Sequence, residues 1–330
     1  VCYGASSELV GAESSGKSTL AQDLIHNLQK IEKQRYEDKK KELQEQIKKA
    51  KGKAQEKLQE ELDNLKERKT IYLDLEFTLD GEWLEKLGVD SDKVFVIQPN
   101  AMGVETPLDW IIDFAQTDEV AFIIIDSIGS MVSGAEDAKS LNDATYGGIS
   151  KALTRFYKKV MPHVKKNNIA LLVVNQTRDD MSNPYNQFNR PGGKMNKFAQ
   201  SLTLGLSGGD KLDEKYGDAT GKSEMVAAKM TNVQMIKNKT APPDRQRTKF
   251  TISHGRGIDK AFDVFSMACD FGSISVAGAY YTFIDPVTGE QLTKVQGKAN
   301  AVSYLRDNPD LLETIWEDLY KKSLLTEEEE

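Results

Sequence analysis

Three stretches of the chain are apolar without alternation and end on acids or amides. Ala121-Phe122-Ile123-Ile124-Ile125 runs into Asp126, Ile71-Tyr72-Leu73 into Asp74-Leu75-Glu76, and Ile169-Ala170-Leu171-Leu172-Val173-Val174 into Asn175-Gln176. Solid apolar runs of this length fit strands buried on both faces of a parallel sheet. Ser7-Glu8-Leu9-Val10 reads as a shorter strand, and Leu20 to Ile25 as a helix after it. Strands alternating with helical segments predict an α/β fold with a mostly parallel sheet flanked by helices. In such a sheet a ligand sits at the strand C-termini.

The pattern changes over residues 31–69. The run EDKKKELQEQIKKAKGKAQEKLQEELDNLKERK is dense in Glu, Lys and Gln, with a sparse apolar seam. Leu43, Ile47, Ala50 and Ala54 form one set, Leu58, Leu62 and Leu65 another, and Gly52 lies between them. Spacings of three and four on either side of a glycine predict a helical hairpin. An arm of about 20 residues would project about 30 Å. From about residue 261 the chain reads as a separate small α+β domain. It has strands over 276–283 and 290–293 around an Asp285-Pro286 turn, then helices over 298–305 and 309–321. The expected division is 1–260 and 261–330.

Composition narrows the setting. The chain has 330 residues, enough for a large domain and a smaller one. Its two cysteines, Cys2 and Cys269, are far apart, which argues against a disulfide scaffold and for a reducing, cytoplasmic setting. No apolar run of about 18 residues predicts a membrane span. The net charge of −7 argues against a uniformly basic nucleic-acid binder but leaves room for a local basic patch. The chain begins at Val1 without methionine or a signal-peptide pattern, and reads as a fragment or as lacking its natural N-terminus.

The chemistry begins at GAESSGKST, residues 11–19. Gly11, Gly16, Lys17 and Ser18 fit the pattern G-x-x-x-x-G-K-[ST]. The glycines let the loop wrap phosphate with inward N–H groups, and the following helix adds its positive end. Lys17 reaches the β- and γ-phosphates, and the Ser18 hydroxyl ligates Mg²⁺. Glu13, Ser14, Ser15 and Thr19 complete the nucleotide-facing loop. Asp126, at a strand end, would hold Mg²⁺ through water. Glu76 or Asp74 would polarise a water onto the γ-phosphate, and physics alone does not choose between them. The Asn175-Gln176 amides would sense the γ-phosphate. Further on, MIKNKTAPP (residues 235–243) reads as a strand end closed by a double proline. Lys237 and Lys239 then point to the same side, because strand side chains alternate. Two adjacent ammonium groups call for an anion.

GAESSGKST, LDLEFTLD, IIIDSIGSM, VVNQTR, MIKNKTAPP and QGKANAVSYLRDNPD occur in that order. Together they resemble the bacterial RecA recombinase family, including RecA-like proteins carried by phages. The resemblance spans about residues 4–322 apart from the hairpin. It implies a RecA-type P-loop ATPase core with a small C-terminal domain. The function implied is DNA-dependent ATP hydrolysis and strand exchange by helical filaments on single-stranded DNA, with ATP and Mg²⁺ bound between adjacent protomers. It assigns the catalytic glutamate to Glu76 and γ-phosphate reporting to Gln176. Asp80 and Trp83 fall where the family contacts adenine. Lys237 and Lys239 match cations that reach the neighbour's ATP, and Lys197 and Phe198 match residues that touch the neighbouring subunit.

The same resemblance places two DNA-binding loops at about 134–147 and 177–193. Tyr146, Met181 and Tyr185 are the candidates for stacking on bases. Lys151, Arg178, Arg190 and Lys194 are candidate phosphate contacts, with Gly192 and Gly193 shaping the second loop. Acidic residues Asp137, Asp143, Asp179 and Asp180 in or beside these loops depart from that role. The C-terminal domain would gather duplex DNA, with Lys294, Lys298 and Arg306 as candidate contacts, and the chain ends in a short acidic EEEE tail. The family's N-terminal helix and strand, which dock on the next subunit, are absent from these residues, which weighs against self-assembly of the chain as written. The hairpin is expected to meet a neighbouring protomer or an accessory protein, or to be a solvated arm. Two other readings stand beside the recombinase. One is a hexameric RecA-fold motor of helicase type, against which the QGKANA and KNK segments count. The other is a filament-modulating decoy without turnover, against which Lys17, Glu76 and Asp126 count. The setting implied is the cytoplasm of a bacterium or of a phage-infected bacterial cell.

Overall fold

The computed structural model describes residues 1–99, 103–132, 148–178, 188–217, 226–240 and 246–325, the last three without their side chains. The loop residues Tyr146, Met181 and Tyr185, the acids Asp137, Asp143, Asp179 and Asp180, and the EEEE tail lie outside the described residues. Two compact units are present, one of residues 1–207 and 233–248, the other of residues 208–232 and 249–330.

The first unit is α/β. Its strands are β1 (Ala5–Gly11), β2 (Lys69–Asp74), β3 (Val94–Ile97), β4 (Val120–Asp126), β5 (Ala170–Gln176), the first part of β6 (Gln200–Leu212) and the last part of β7 (Ala228–Asn238). They lie in the order β3-β2-β4-β5-β1-β6-β7. The pairs from β3 through β1 to β6 are all parallel. β4 is buried at every residue and β5 at all but its last. That explains their unbroken apolar sequences: helices cover both faces, so neither face needs polar residues. The helices are α1 (Lys17–Lys49), α2 (Lys53–Asn64), α3 (Gly81–Lys86), α4 (Glu105–Gln116), α5 (Gly148–Lys166) and α6 (Gly193–Ala199). On one face Ile111 and Ala115 of α4 and Phe156 and Val160 of α5 pack on Ile123, Ile125, Leu171 and Val173. Each fully buried Ile or Val side chain contributes about 1.5–3 kcal/mol. Strand ends are kept level by register: Gly11 pairs with Gln176, and Asp74 with Asp126. The four carboxyl ends therefore open at one place.

The hairpin forms as the spacing predicts, with Gly52 at the start of α2. Its first arm is the continuation of the helix that starts at the phosphate loop, 33 residues without a break and thus about 50 Å long. Leu43 is fully buried in the seam, and Ile47, Ala50, Leu58, Leu62 and Leu65 are half-buried. Ala54, read as part of the seam, is exposed. At the base of the arm the buried Glu32 takes a bidentate pair from Arg68, at 2.8 and 2.9 Å. It also accepts from Arg35 and from the Tyr3 hydroxyl. Burial alone would raise the Glu32 carboxyl, but these donors hold it below the usual carboxylate range. The arm therefore leaves the core from a fixed point.

The second unit contains the remaining parts of β6 and β7, most of β8 (Arg247–Ser253), β9 (Gly257–Ile258) and α7 (Lys260–Asp270). An antiparallel sheet follows, β10 (Ile274–Ala277), β11 (Tyr280–Ile284) and β12 (Gln291–Gln296), then α8 (Lys298–Asp307) and α9 (Pro309–Leu325). Its core joins Phe262 and Phe265 of α7 to Phe283, Val302, Ile315 and Leu319. Buried Asp259 caps α7 and accepts from Ser253, Tyr216 and Arg306. Arg306 is turned to internal partners, Asp259 and Tyr216, whereas the exposed Lys298 reaches the Tyr216 carbonyl at 3.2 Å. Read from sequence as a candidate duplex contact, Arg306 is a structural tie here, because a buried carboxylate needs donors.

Asp263, also on α7, yields a pH prediction. Burial pushes its carboxyl up to about 6, against a hydrogen bond from the Thr251 N–H. The folded protein thus keeps a proton that the unfolded chain releases above about pH 4. This group's contribution to stability is full below that pH and is lost as pH rises through about 6. Asp263→Asn should remove the loss, improving stability relative to the parent by about 2 kcal/mol more at pH 7.5 than at pH 4.5. Denaturant unfolding at the two pH values measures this, and a pH-independent difference would refute it.

Candidate functional site

The phosphate loop sits where β1 ends. A Cβ on Gly11 would lie 2.2 Å from the Leu206 carbonyl oxygen, so β1 and β6 close only around glycine there. Gly16 precedes α1 with φ of 87°, a left-handed conformation that suits glycine. The first turn of α1 contains no acid, so its N–H groups and positive end are uncompensated within the helix. A cavity of about 160 Å³ opens over the loop, lined by Glu13, Ser14, Ser15, Gly16, Lys17, Ser18, Thr19, Glu76, Asp126 and Gln176. Residues from the ends of three strands and from the loop after a fourth thus converge as the sequence pattern implied.

Lys17 is only 6% exposed, and its ammonium donates to the Ala12 carbonyl at 2.7 Å. Burial lowers its pKa, against the attraction of Asp126, Glu76 and Glu13. It is a cation at the cavity wall, held by that backbone contact and by a longer one to Ser15 Oγ at 3.5 Å. Asp74 and Glu76 part company in structure. Buried Asp74 accepts from the Glu76 and Leu79 N–H groups and from the Gln98 amide, which commits both its oxygens to shaping the turn. Glu76 instead faces the cavity. Its Oε1 accepts from Ser127 Oγ at 2.6 Å, from Gln176 Nε2 at 2.8 Å and from Ser130 Oγ at 3.3 Å. No hydrogen bond to its Oε2 is made among the described residues, which leaves that oxygen to orient a water.

Asp126 ends β4 and is 3% exposed. Oδ2 accepts from the Tyr72 hydroxyl at 2.7 Å, while buried Oδ1 has no partner among the described residues. Burial pushes the carboxyl up to about 6, against the nearby Tyr72 and Ser18 hydroxyls. A buried oxygen without a donor, beside a serine hydroxyl, fits a hard divalent cation with oxygen ligands. Ser18 and Asp126 would suffice for Mg²⁺, which takes one or two protein ligands and keeps waters and phosphates.

A second cluster lies on α6 and β7. Lys237 donates to the carbonyl oxygens of Lys197 and Phe198, at 2.6 and 3.5 Å, and Lys239 to that of Phe198 at 3.4 Å. The two ammonium groups rest on the C-terminal end of α6, whose carbonyls attract cations. Burial, then the charge of Lys239, lowers the Lys237 pKa. Phe198 is 68% exposed beside them. The structure brings Lys197, Phe198, Lys237 and Lys239 together, and none of them lines the phosphate cavity.

The remaining predicted residues divide. Asp80 caps α3 by accepting from the Glu82 N–H, and Trp83 donates its indole N–H to Gln22 Oε1 at 3.1 Å. Lys151, Arg178 and Lys194 are exposed. The Arg178 N–H bonds the Asn189 carbonyl at 2.8 Å. Arg190 turns inward and pairs with Glu8 at 2.9 Å, with side-chain exposures of 8% and 0%. This corrects its reading as a phosphate contact: Glu8 is a carboxylate in a buried strand and requires a cation. Asn175 and Asn196 donate to the same Glu8 oxygen as Arg190. Gly192 and Gly193 lead into α6 with φ of 103° and 72°.

Sequence reasoning missed Ser127 and Ser130 as the holders of Glu76, and Tyr72 and Gln22 behind Asp126. The signals were weak: a hydroxyl inside the apolar run of β2, and a glutamine one turn into α1.

A family model described as the RecA N-terminal domain matches residues 50–259. The chain is similar to Protein RecA of Petrotoga mobilis, 29% identical over 316 residues that cover 96% of this chain and 73% of that protein. The RecA of Ruminococcus albus is 27% identical, covering 93% and 65%. That of Streptomyces venezuelae is 28% identical, covering 96% and 70%. The crystal structure of the RadB recombinase superposes with a TM-score of 0.47 at 17% identity, over 78% of this chain and 90% of that one.

Proposed function

Because this chain belongs to the RecA N-terminal domain family, whose model matches well over half of it, we propose that it is a DNA-dependent ATPase that forms filaments on single-stranded DNA and exchanges strands between homologous molecules. The observation that carries this reading is the division of cationic chemistry. Lys17, Glu76, Asp126 and Gln176 share one cavity, while Lys237 and Lys239 lie outside it with an exposed Phe198. ATP in the cavity of one protomer would be completed by the lysine pair of the next. Cations supplied across an interface stabilise the transferring phosphoryl group only when the assembly is in place.

In this mechanism the loop N–H groups and Lys17 hold the phosphates. Mg²⁺, held by Ser18 and through water by Asp126, would offset charge on the β- and γ-phosphate oxygens. Glu76 orients the attacking water with Oε2, while Ser127, Ser130 and Gln176 fix the carboxylate through Oε1. Gln176 also links that carboxylate to the 177–193 segment, so loss of the γ-phosphate is felt by the segment read as DNA-binding. Asp80 and Trp83 meet the adenine, and Lys151, Arg178 and Lys194 meet DNA phosphates. In this reading 1–260 is the ATPase core and 261–330 gathers duplex DNA. The 31–69 arm meets a neighbouring protomer or an accessory protein, and the work is done in a bacterial cytoplasm. No helix of the described residues is long and apolar enough to cross a membrane.

ATP hydrolysis measured with and without single-stranded DNA, over a range of protein concentrations, tests the reading. Strong stimulation that rises cooperatively with concentration is expected. Turnover that needs neither DNA nor concentration would make each site self-contained and overturn it.

A further inference from the structure

The carboxylate assigned to the metal is itself held from behind. Tyr72 on β2 pairs in register with Ile124 on β4. Asp126, two residues further along, shares its face and is within diagonal reach. The Tyr72 hydroxyl closes on Asp126 Oδ2 at 2.7 Å, with the two residues 1% and 3% exposed. The Gln22 amide, itself only 6% exposed, lies close enough to the Tyr72 hydroxyl to act on it as a donor. Gln22 Oε1 in turn accepts the indole N–H of Trp83. Four side chains from β4, β2, α1 and α3 thus form one line.

Chemistry fixes the direction of this line. An indole nitrogen only donates, and an ionised carboxylate only accepts. Gln22 takes the Trp83 N–H on its carbonyl, which leaves its NH₂ as the end that can face Tyr72. The Tyr72 O–H is then left for Asp126. The two hydrogen bonds, and the approach of Gln22 to Tyr72 between them, run in one sense. The outcome at Asp126 is asymmetric: Oδ2 is committed, and Oδ1, without a partner among the described residues, is the oxygen left for a cation.

We propose that Tyr72 is a positioning residue for the Asp126 carboxylate, and that Gln22 and Trp83 extend it into a relay joining the base side of the nucleotide site to its metal side. The inference rests on the reading of Asp126 as the Mg²⁺-holding group and of Trp83 as the base-facing group. Without the Tyr72 hydroxyl the carboxylate can rotate and share its proton-accepting oxygens with water, so the free oxygen is no longer aimed. The indole N–H, two links away, has a smaller lever on the same carboxylate.

ADP affinity measured by calorimetry across a series of free Mg²⁺ concentrations, and in EDTA, tests this. Tyr72→Phe should raise the Mg²⁺ midpoint by about tenfold, the loss of one charge-assisted hydrogen bond, while ADP affinity in EDTA stays at the parent value. Trp83→Phe keeps an aromatic face but no N–H, and should shift the midpoint less in the same direction. The double variant should shift it no further than Tyr72→Phe alone. A Tyr72→Phe midpoint equal to the parent's, or a loss of ADP affinity equal in EDTA and in Mg²⁺, overturns the positioning role. Additive shifts overturn the relay. Should Tyr72→Phe fail to fold, Gln22→Met carries the test, since it leaves the Tyr72–Asp126 bond but removes the relay's middle, and an unchanged midpoint refutes the link. A parent protein that binds ADP without any Mg²⁺ dependence would instead overturn the assignment of Asp126 on which the inference stands.

Discussion

Glu76→Gln is expected to lower ATP turnover by about 10²–10⁴-fold, the usual range for loss of a positioned general base, with nucleotide and DNA binding retained. The geometry makes this a clean substitution. Oε1 of Glu76 takes all three donors, from Ser127, Ser130 and Gln176. A glutamine carbonyl can accept the same three, which leaves its NH₂ where Oε2 stood. The side chain stays in place, and only the group that orients water is lost. Removing a negative charge beside the γ-phosphate should also strengthen ATP binding modestly, so filaments on single-stranded DNA should outlive those of the parent. Single-turnover hydrolysis together with filament lifetime measures both. Undiminished turnover would mean that another group activates the water.

Lys17→Ala is expected to weaken ATP binding by about 30- to 1000-fold, the consequence of leaving buried anionic charge without its cation, and to cost the unliganded fold little. Lys17 makes one short hydrogen bond, to the Ala12 carbonyl, and burial lowers its pKa despite three nearby acids. Its charge is therefore a burden on the empty protein and an asset only once phosphate arrives. A structural lysine would show the reverse. Nucleotide titration paired with thermal unfolding in the absence of nucleotide separates the two. Normal ATP affinity would refute the assignment of the cradle, and collapse of the unliganded protein would make Lys17 structural.

The two predictions draw on different depths of reading. Lys17 was legible in the sequence because a phosphate loop needs glycines, a lysine and a hydroxyl at fixed spacing, and that spacing is local. The strands were legible for a similar reason: β4 and β5 are covered on both faces, and coverage leaves an unbroken apolar run in the chain. The hairpin was legible from its seam of threes and fours. Asp74 and Glu76 were not separable by residue type, since both are carboxylates at one strand end. The turn that folds back on Asp74 and the serines that reach Glu76 distinguish them, and those contacts span up to 54 residues.

Arg190 shows the other limit. A cation in a polar segment reads as a surface group, and nothing nearby in sequence marks it otherwise. Its partner Glu8 lies 182 residues away on a strand that the fold buries at all but its first residue. Arg306 was misread in the same way, because its carboxylate partner Asp259 caps a helix 47 residues before it.

The buried strands, the hairpin, the phosphate cradle and the acids and amides at the strand ends were written in the chain, because periodicity and local spacing record which faces are buried and which loops bend. Only the tertiary structure decided which carboxylate faces the cavity, which cations turn inward, and that the phosphate-loop helix continues unbroken into the hairpin. Those outcomes depend on hydrogen-bond partners brought together by sheet register. A buried charge takes whatever donor the fold places beside it, however distant in the chain.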